Sequence, residues 1–140
     1  MPDFSMVLFI KMKKTRATAI ILKNEEVLLI HRKNEKEYYV FPGGGVEEGE
    51  TTEQALLREL KEETSLVVRV DKLLEKRILN NGIENYCYLC TYISGNPQLA
   101  KNSPERAEMK NGIQYYNPVW MNIKDLEDLD VWPEGIKNLI

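Results

Sequence analysis

The hydrophobic pattern of the first third of the chain predicts β-strands. Arg16 to Leu22 is rich in alanine and isoleucine, and Glu26 to His31 contains a continuous apolar run typical of a strand that is buried on both faces. Lys23 to Glu25 has the composition of a turn, so the two segments predict a hairpin. Tyr38 to Phe41 is predicted to be a third, short strand, because Pro42 and the glycines that follow it end the pattern.

A helix is predicted next, with Thr51 or Thr52 as its N-cap and its end near Thr64. At about 100° per residue, one arc of this helix carries three leucines that are predicted to face the core: Leu56, Leu57 and Leu60. Gly43 to Gly45, just before the helix, is predicted to form a flexible loop, since glycine restricts the backbone least.

The second half of the chain returns to strand patterns. Four strands are predicted: Leu66–Val70, Leu73–Leu79, Tyr86–Ile93 and Ile113–Met121. A polar loop is predicted from Ser94 to Asn111, and two helical candidates follow, Ile123 to Leu129 and Pro133 to Ile140. Strands on both sides of one strong helix indicate a single α/β (α+β) domain over residues 1–140, with a mixed sheet.

Composition narrows the class of protein. The chain has 140 residues, 43% of them hydrophobic, which is typical of one globular domain. A formal net charge of −3 argues against a protein that binds nucleic-acid polymers through their phosphates. The apolar run Met6 to Ile10 is too short for a signal peptide or a membrane span, so we expect a soluble, cytoplasmic protein. The same run is a candidate edge strand or part of a homodimer contact.

The two cysteines, Cys87 and Cys90, have the CxxC spacing of many metal and redox sites. A zinc site needs two further ligands, and the chain has one histidine, His31, and no second cysteine pair. Both cysteines fall in a predicted strand, where residues three apart point to opposite faces. We therefore expect two reduced thiols within a sheet.

The predicted helix carries a cluster of carboxylates. Glu59, Glu62 and Glu63 share one face, because positions i, i+3 and i+4 are neighbours on a helix. An ordinary solvated acidic helix is the simplest interpretation of such a cluster. The glycines that precede the helix favour another one, since their backbone can approach a phosphate or a metal closely. Clustered oxygen ligands suit magnesium or manganese.

The spacing of these residues resembles the Nudix box, Gly-x5-Glu-x7-Arg-Glu-U-x-Glu-Glu-x-Gly-U, in which U is aliphatic. The box falls on residues 44–66, and the matching positions are Gly44, Glu50, Arg58, Glu59, Leu60, Glu62, Glu63 and Leu66. Ser65 replaces the usual glycine at the end of the helix. Serine ends a helix at modest cost if the backbone there is not strongly left-handed, so we expect this departure to affect stability and not chemistry.

The resemblance implies a Nudix-like α/β/α sandwich and a reaction, the metal-dependent hydrolysis of a nucleoside diphosphate linked to another moiety. By the same resemblance, Glu59, Glu62, Glu63 and the Gly44 carbonyl match the ligands of a Mg²⁺ ion, for which Mn²⁺ is a possible substitute. Arg58 and Glu50 match a pair that orients the catalytic loop and helix. A (d)NTP or a related nucleotide is the favoured substrate, and a non-catalytic nucleotide-binding sensor domain is the alternative.

Two questions stay open from the sequence. The general base is Glu59, Glu62 or a loop residue such as Glu105 or Glu108. For substrate binding, Gly43, Gly44 and Gly45 offer backbone groups to a phosphate, and Arg32 at the end of its strand is a further candidate. The possible stacking surfaces for a base are Tyr38, Tyr39, Tyr115, Tyr116, Trp120 and Trp132.

Overall fold

The computed structural model describes residues 14–100, 103–110 and 115–140. Its strands are β1 (Thr15–Lys23), β2 (Glu26–Lys33), β3 (Glu37–Val40), β4 (Gly43–Gly45), β5 (Val67–Ile78), β6 (Glu84–Ser94), β7 (Tyr115–Asn122) and β8 (Val131–Trp132). Its helices are α1 (Thr52–Thr64), α2 (Pro104–Lys110) and two short 3-10 helices, Ile123–Asp128 and Ile136–Leu139. The proposed contact segment at residues 6–10 lies outside the described residues, as do the first two residues of the predicted strand at 113–121.

The described strands form one mixed sheet. Its main path has the order β5-β6-β1-β2-β3-β8, while β4 pairs with β1 and β7 pairs with β2. Strand β1 runs parallel to β6 along most of its length, and β3 runs parallel to β8, whereas the other pairs are antiparallel. The predicted α/β class with a mixed sheet is confirmed.

Both faces of the sheet are covered. On one face, Leu56 and Leu60 of helix α1 pack in a cluster with Ala17, Ala19 and Ile21 of β1. On the other face, a second cluster joins residues of β1 and β2 to the 3-10 helices: Ile20, Val27, Leu29, Leu126 and Ile136. Alternate residues of β1 therefore enter opposite cores, which explains why its sequence is apolar without a polar repeat.

The glycine segment is a strand and not the flexible loop that was predicted. Gly43, Gly44 and Gly45 pair antiparallel with Thr18, Ala17 and Arg16. Gly43 has φ +149°, and a Cβ there would overlap the Ala17 carbonyl oxygen. Without side chains, this backbone approaches β1 more closely than other residues could, and the hydrogen bonds of the ladder then hold it in place.

Three other predictions are corrected. Leu57 does not face the core, because 48% of its surface is exposed and the buried arc of α1 ends beside it. The segments predicted as two strands between residues 66 and 79 form the single strand β5, whose register is irregular at three points. The predicted C-terminal helix begins three residues late, at Ile136, and Val131–Trp132 before it pairs with β3 as a strand.

The predicted polar loop at residues 94–111 contains a helix, α2, which begins at Pro104. The Ser103 hydroxyl accepts a hydrogen bond from the Arg106 N–H at 3.1 Å, so Ser103 caps this helix. Serine followed by proline and an acidic residue is a recognised signal for a helix start, and it was overlooked here. Across the described ranges, no helix has the length and apolar character needed to cross a membrane.

Ser65 ends helix α1 in a left-handed conformation, with φ 58° and ψ 14°. Serine was expected to end the helix at modest cost only if the backbone at this position was not strongly left-handed, and the structure shows that it is left-handed. The Ser65 hydroxyl donates a hydrogen bond of 2.7 Å to the Gln98 carbonyl, which offsets part of the conformational strain.

We predict that Ser65→Gly is more stable than Ser65→Ala by about 1 kcal/mol, because only glycine adopts this conformation without steric cost. Both variants lose the hydroxyl, so their difference isolates the backbone strain. The free energy of unfolding in urea measures it. Equal values for the two variants would contradict the left-handed assignment.

Cys87 and Cys90 are both buried and free, and they enter the cores on opposite faces of the sheet. Burial raises the pKa of each thiol to about 12. The expectation of two reduced thiols within a sheet is confirmed.

We predict that neither thiol of the folded chain reacts appreciably with Ellman's reagent at pH 8, because both are protonated and inaccessible there. Both should react after unfolding in urea, which serves as the internal control. The absorbance of the released thiolate measures the reaction. Rapid reaction of the folded chain would mean that one cysteine is exposed to solvent.

Candidate functional site

An ion pair connects helix α1 to the turn that precedes it. The Arg58 guanidinium donates two hydrogen bonds of 2.9 Å to the Glu50 carboxylate, one from Nε and one from Nη2. The same Nη2 donates to the Gly45 carbonyl at 3.0 Å. Bidentate pairs of this kind fix orientation as well as charge, so Arg58 holds the turn, strand β4 and the helix in one arrangement.

The protonation equilibria of this pair follow from its geometry. Hydrogen bonds from the Arg58 side chain and from the Glu47 N–H lower the pKa of Glu50 to about 2. The hydrogen bond to Glu50 in turn raises the pKa of Arg58. In the folded chain, Glu50 therefore stays ionised well below the ordinary pKa of a glutamate, and Arg58 stays protonated.

Helix α1 begins with a capping box. The Thr51 hydroxyl accepts from the Gln54 N–H at 3.1 Å, and the Gln54 side chain accepts from the Thr51 N–H at 2.9 Å. Thr51 is thus the N-cap, one of the two predicted candidates. This cap sets the rotation of the helix, and with it the direction of every glutamate further along.

The three glutamates of the helix do not share one environment. At about 100° per residue, Glu63 falls near the centre of the buried arc that runs from Ala55 to Thr64, and only 8% of its surface is exposed. Glu59 falls within the same arc, between Ala55 and Glu63, and its side chain is 13% exposed. Glu62 lies at the edge, with a side chain that is 35% exposed.

Glu59 and Glu63 meet the backbone of strand β4. The Gly43 N–H donates a hydrogen bond of 2.8 Å to the Glu63 carboxylate. The Glu59 carboxyl group lies against Gly44, so closely that a Cβ on that residue would overlap it. Arg58 Nη1 also donates to Glu59 at 2.9 Å. Gly44 therefore leaves the space that the Glu59 carboxylate occupies, and the Gly43 backbone holds the Glu63 carboxylate, independently of any ligand that the glycine backbone binds.

Burial is costly for these two carboxylates. It raises the pKa of Glu63 to about 8, even though the Gly43 N–H and the charge of Arg16 act in the opposite direction. It also raises the pKa of Glu59, whose hydrogen bond from Arg58 opposes the shift. Two acidic groups that are kept out of water next to each other form a site that favours a cation.

The cavity in front of these carboxylates has a volume of about 250 Å³. Its lining residues are Arg16, Arg32, Val40, Gly43, Gly44, Gly45, Glu59, Glu63, Glu105, Tyr116 and Trp132. Glu62 instead lines a neighbouring depression with Arg58, Lys61 and Ala100. The structure thus brings together most of the predicted site residues, and it places Glu62 beside this group and not within it.

Helix α2 contributes a further carboxylate. Glu105 lines the cavity, and its Oε2 atom is buried without a hydrogen-bond partner among the described residues. A buried carboxylate oxygen without a partner is costly, so this atom is suited to a ligand that is a donor or a cation. The side chain of Glu108, the other loop candidate, lies outside the described part of the chain.

Two arginines also line the cavity. Arg32 Nη2 donates to the Tyr116 hydroxyl at 2.9 Å, and its guanidinium lies over the Tyr116 ring, 4.4 Å from the centroid. The Arg16 guanidinium lies 4.7 Å from the centroid of the Trp132 ring. Sequence reasoning missed Arg16, because a charged residue at the start of an apolar strand looks like a solvated strand end.

Most of the aromatic candidates lie elsewhere. Tyr39 stacks on His31 with ring centroids 4.7 Å apart, and Tyr115 meets the edge of the same imidazole. Trp120 packs edge-on against Tyr92. Of the six, Tyr116 and Trp132 line the carboxylate cavity, and Tyr38 lines an adjoining one of about 500 Å³.

The donor chemistry of the cavity fits a hard divalent cation. The carboxylates of Glu59, Glu63 and Glu105 supply oxygen ligands alone, which magnesium and manganese prefer. Across residues 14–100, 103–110 and 115–140, however, no three carboxylate, imidazole or thiolate groups already form a metal-binding cluster. The carboxylate of Glu59 is turned towards Arg58, so it would have to exchange this partner for a metal.

Comparisons with known proteins agree with this architecture. The profile of the NUDIX domain matches residues 13–139. A Caenorhabditis elegans protein with a nudix hydrolase name is 36% identical over 117 residues, which are 79% of this chain and 29% of that protein. An ADP-ribose pyrophosphatase of Methanocaldococcus jannaschii is 53% identical over 57 residues, 39% of this chain and 34% of the enzyme. The matches thus span about a third of the length of these relatives.

The fold has close counterparts among solved structures. A NUDIX-family hydrolase from Clostridium perfringens superposes with a TM-score of 0.69, covering 91% of this chain and 92% of that one. Its sequence is 18% identical, so this likeness concerns the fold alone.

We predict that Glu50→Gln lowers the free energy of unfolding at pH 7, and that its deficit shrinks as the pH falls from 4.5 towards 2. A carboxylate whose pKa is lowered from 4.5 to about 2 by folding stabilises the native state above the first value and loses this contribution on the way to the second. Urea unfolding at several pH values measures the difference. Glu48→Gln, at an exposed position of the same turn, should stay near the wild type, and a pH-independent deficit for Glu50→Gln would contradict the ion-pair account.

Proposed function

This chain belongs to the NUDIX domain family, and on that premise we propose that it is a magnesium-dependent pyrophosphohydrolase of nucleoside diphosphate derivatives. Its substrates are (d)NTPs or related nucleotides in which a diphosphate links a nucleoside to another moiety. The products are a nucleoside monophosphate with pyrophosphate, or two phosphorylated halves. Manganese is a possible substitute for magnesium.

One observation carries the proposal: carboxylates and guanidiniums line the same cavity of about 250 Å³. Glu59 and Glu63 are held against strand β4, and Glu105 lines the same cavity. Arg16 and Arg32 line it as well. A diphosphate that bridges a cation and two guanidiniums is the ligand that satisfies both sets of groups at once.

Bound divalent metal would supply a nucleophilic water near neutral pH and would polarise the phosphate oxygens. The residues of this chain then have three tasks. Glu59, Glu62, Glu63 and the Gly44 carbonyl hold the metal, and Arg32 with the backbone of Gly43 to Gly45 orients the diphosphate. The Arg58–Glu50 pair keeps helix α1 and strand β4 in register. The cysteines have no task in this mechanism.

In the reaction, the water oxygen bonds to one phosphorus, and the bridging P–O bond on the far side breaks. The water loses a proton to a carboxylate, and the released phosphate oxygen keeps the electron pair of the broken bond. Glu59, Glu62, Glu105 and Glu108 are the candidates for the proton acceptor. Glu105 is supported by the buried oxygen atom that has no partner in the described structure, and by its place on the cavity wall.

The reaction can be tested with purified protein, magnesium and a panel of nucleoside triphosphates, ADP-ribose and dinucleoside polyphosphates. We predict hydrolysis of at least one compound, its loss on chelation of the metal, and its abolition in Glu63→Gln, which removes one of the carboxylates proposed to hold the metal. Glu53→Gln is the matched control, since Glu53 is exposed on the same helix. Release of nucleoside monophosphate, with pyrophosphate or the second phosphorylated half, measures turnover.

The result of the substrate panel distinguishes a pyrophosphohydrolase from a non-catalytic nucleotide-binding sensor domain. No metal-dependent turnover of any compound, together with saturable nucleotide binding, would falsify the enzyme proposal and favour the non-catalytic sensor domain. Turnover that Glu63→Gln retains would instead place the metal elsewhere.

A second prediction concerns the contact between Gly44 and Glu59. Gly44→Ala should displace the Glu59 carboxylate and lower activity by about tenfold to a hundredfold, with a higher magnesium requirement, as for other changes that misplace a metal ligand. Gly45→Ala is the steric comparison, because a Cβ there has no neighbour within 4 Å, and its effect should be smaller. Magnesium titrations of the turnover rate measure both. Equal effects would show that Glu59 is not the group displaced.

A further inference from the structure

Arg16 has an unusual position for a charged side chain. It lies at the start of β1, between its ladder partners Gly45 on β4 and Asn85 on β6. Its guanidinium lines the carboxylate cavity and lies over the Trp132 ring. The residue is partly buried, and this burial lowers its pKa, so the charged form is held here at a cost.

The hydrogen bonds that hold Arg16 use few of its donors. Nε donates to the Thr18 hydroxyl at 3.3 Å, and Nη2 donates to the Phe41 carbonyl at 3.4 Å, both near the limit for such bonds. A guanidinium has five N–H donors. In the part of the chain that the structure describes, Arg16 forms no ion pair. Its remaining donors are therefore available to a ligand in the cavity.

A second cation stands close by. Arg32 lines the same cavity, and its charge contributes to the lowered pKa of Arg16, so the two guanidiniums repel each other. Glu63 and Glu59 attract Arg16 without contacting it. An anion between the two guanidiniums would remove the repulsion, and paired guanidiniums match the oxygens of a phosphate.

Trp132 restricts the position of the Arg16 guanidinium. The backbone of Trp132 is held in place, because β8 pairs with β3 and the Phe41 N–H donates to the Trp132 carbonyl at 2.9 Å. The Arg16 guanidinium lies over the indole ring, 4.7 Å from its centroid, so the ring restricts where this cation can lie without using any of its N–H donors. The ring face that meets Arg16 is thus already occupied and does not serve as a stacking surface for a base.

We propose that Arg16 is a substrate-binding residue that holds non-bridging oxygens of the diphosphate together with Arg32, and that Trp132 is the positioning residue that orients its guanidinium. This assignment rests on the proposed function for the identity of the substrate. It requires of the ligand only that it carry a diphosphate, so it can be tested without turnover.

The experiment is calorimetric titration of the whole chain with inorganic pyrophosphate in magnesium buffer. Arg16→Gln should weaken binding by about tenfold to a hundredfold, the range expected for lost hydrogen bonds to a charged group, and Arg16→Lys should weaken it less. Trp132→Leu should weaken binding as well, whereas Trp132→Phe, which keeps a ring beneath the guanidinium, should restore most of it. Arg69→Gln, on the exposed face of β5, is the control. Circular dichroism confirms that each variant is folded.

The outcomes decide the proposal. Unchanged pyrophosphate binding in folded Arg16→Gln would overturn it, and so would a wild-type chain that hydrolyses nucleotides without binding pyrophosphate. If Trp132→Leu weakens a nucleotide substrate but not pyrophosphate, Trp132 contacts the base and its positioning role is wrong. Arg16-dependent pyrophosphate binding in a chain that hydrolyses no compound would support this assignment while it refutes the enzyme proposal.

Discussion

The close approach of strand β4 to its two neighbours underlies the rest of the site. On one side, the backbone of Gly43 and Gly44 pairs with β1 at a distance that a Cβ on Gly43 would prevent. On the other side, the same two residues receive the carboxylates of Glu63 and Glu59. The absence of side chains here allows a helix with buried acidic groups to pack on the sheet, because each carboxylate meets backbone where a bulky residue would exclude it.

Charge is balanced around this contact in two separate ways. Arg58 pairs with Glu50 outside the cavity and reaches Glu59 with its remaining nitrogen, so it joins the turn, the strand and the helix. Arg16 and Arg32 line the same cavity as the carboxylates, and Arg16 forms no ion pair with Glu63 in the described structure. The first arrangement is complete in the folded chain, whereas the second leaves Arg16 and Glu63 apart, as a ligand with both a cation and phosphates requires.

Much of the fold was predictable because local pattern and final environment agree. The apolar runs of β1 and β2 are buried on both faces, and Thr51 caps the helix where the sequence places its start. Predictions failed where a neighbour distant in sequence changed the local preference. Leu57 was assigned to the core from periodicity alone, and the glycine segment, which would be flexible in isolation, became a strand because β1 supplied a ladder.

For the site, the sequence by itself determined the spacing of Gly44, Glu50, Arg58, Glu59 and Glu63, since one helix and the short segment before it relate them all. Only the tertiary structure decided which groups face them. Arg16, Glu105 and Trp132 lie on three elements far apart along the chain, and they meet because β1 pairs with β4 and β8 pairs with β3. Helical periodicity relates residues that are a few positions apart in the sequence. The lining of a cavity depends on strand pairing and packing between distant segments, and a local sequence pattern does not specify these contacts.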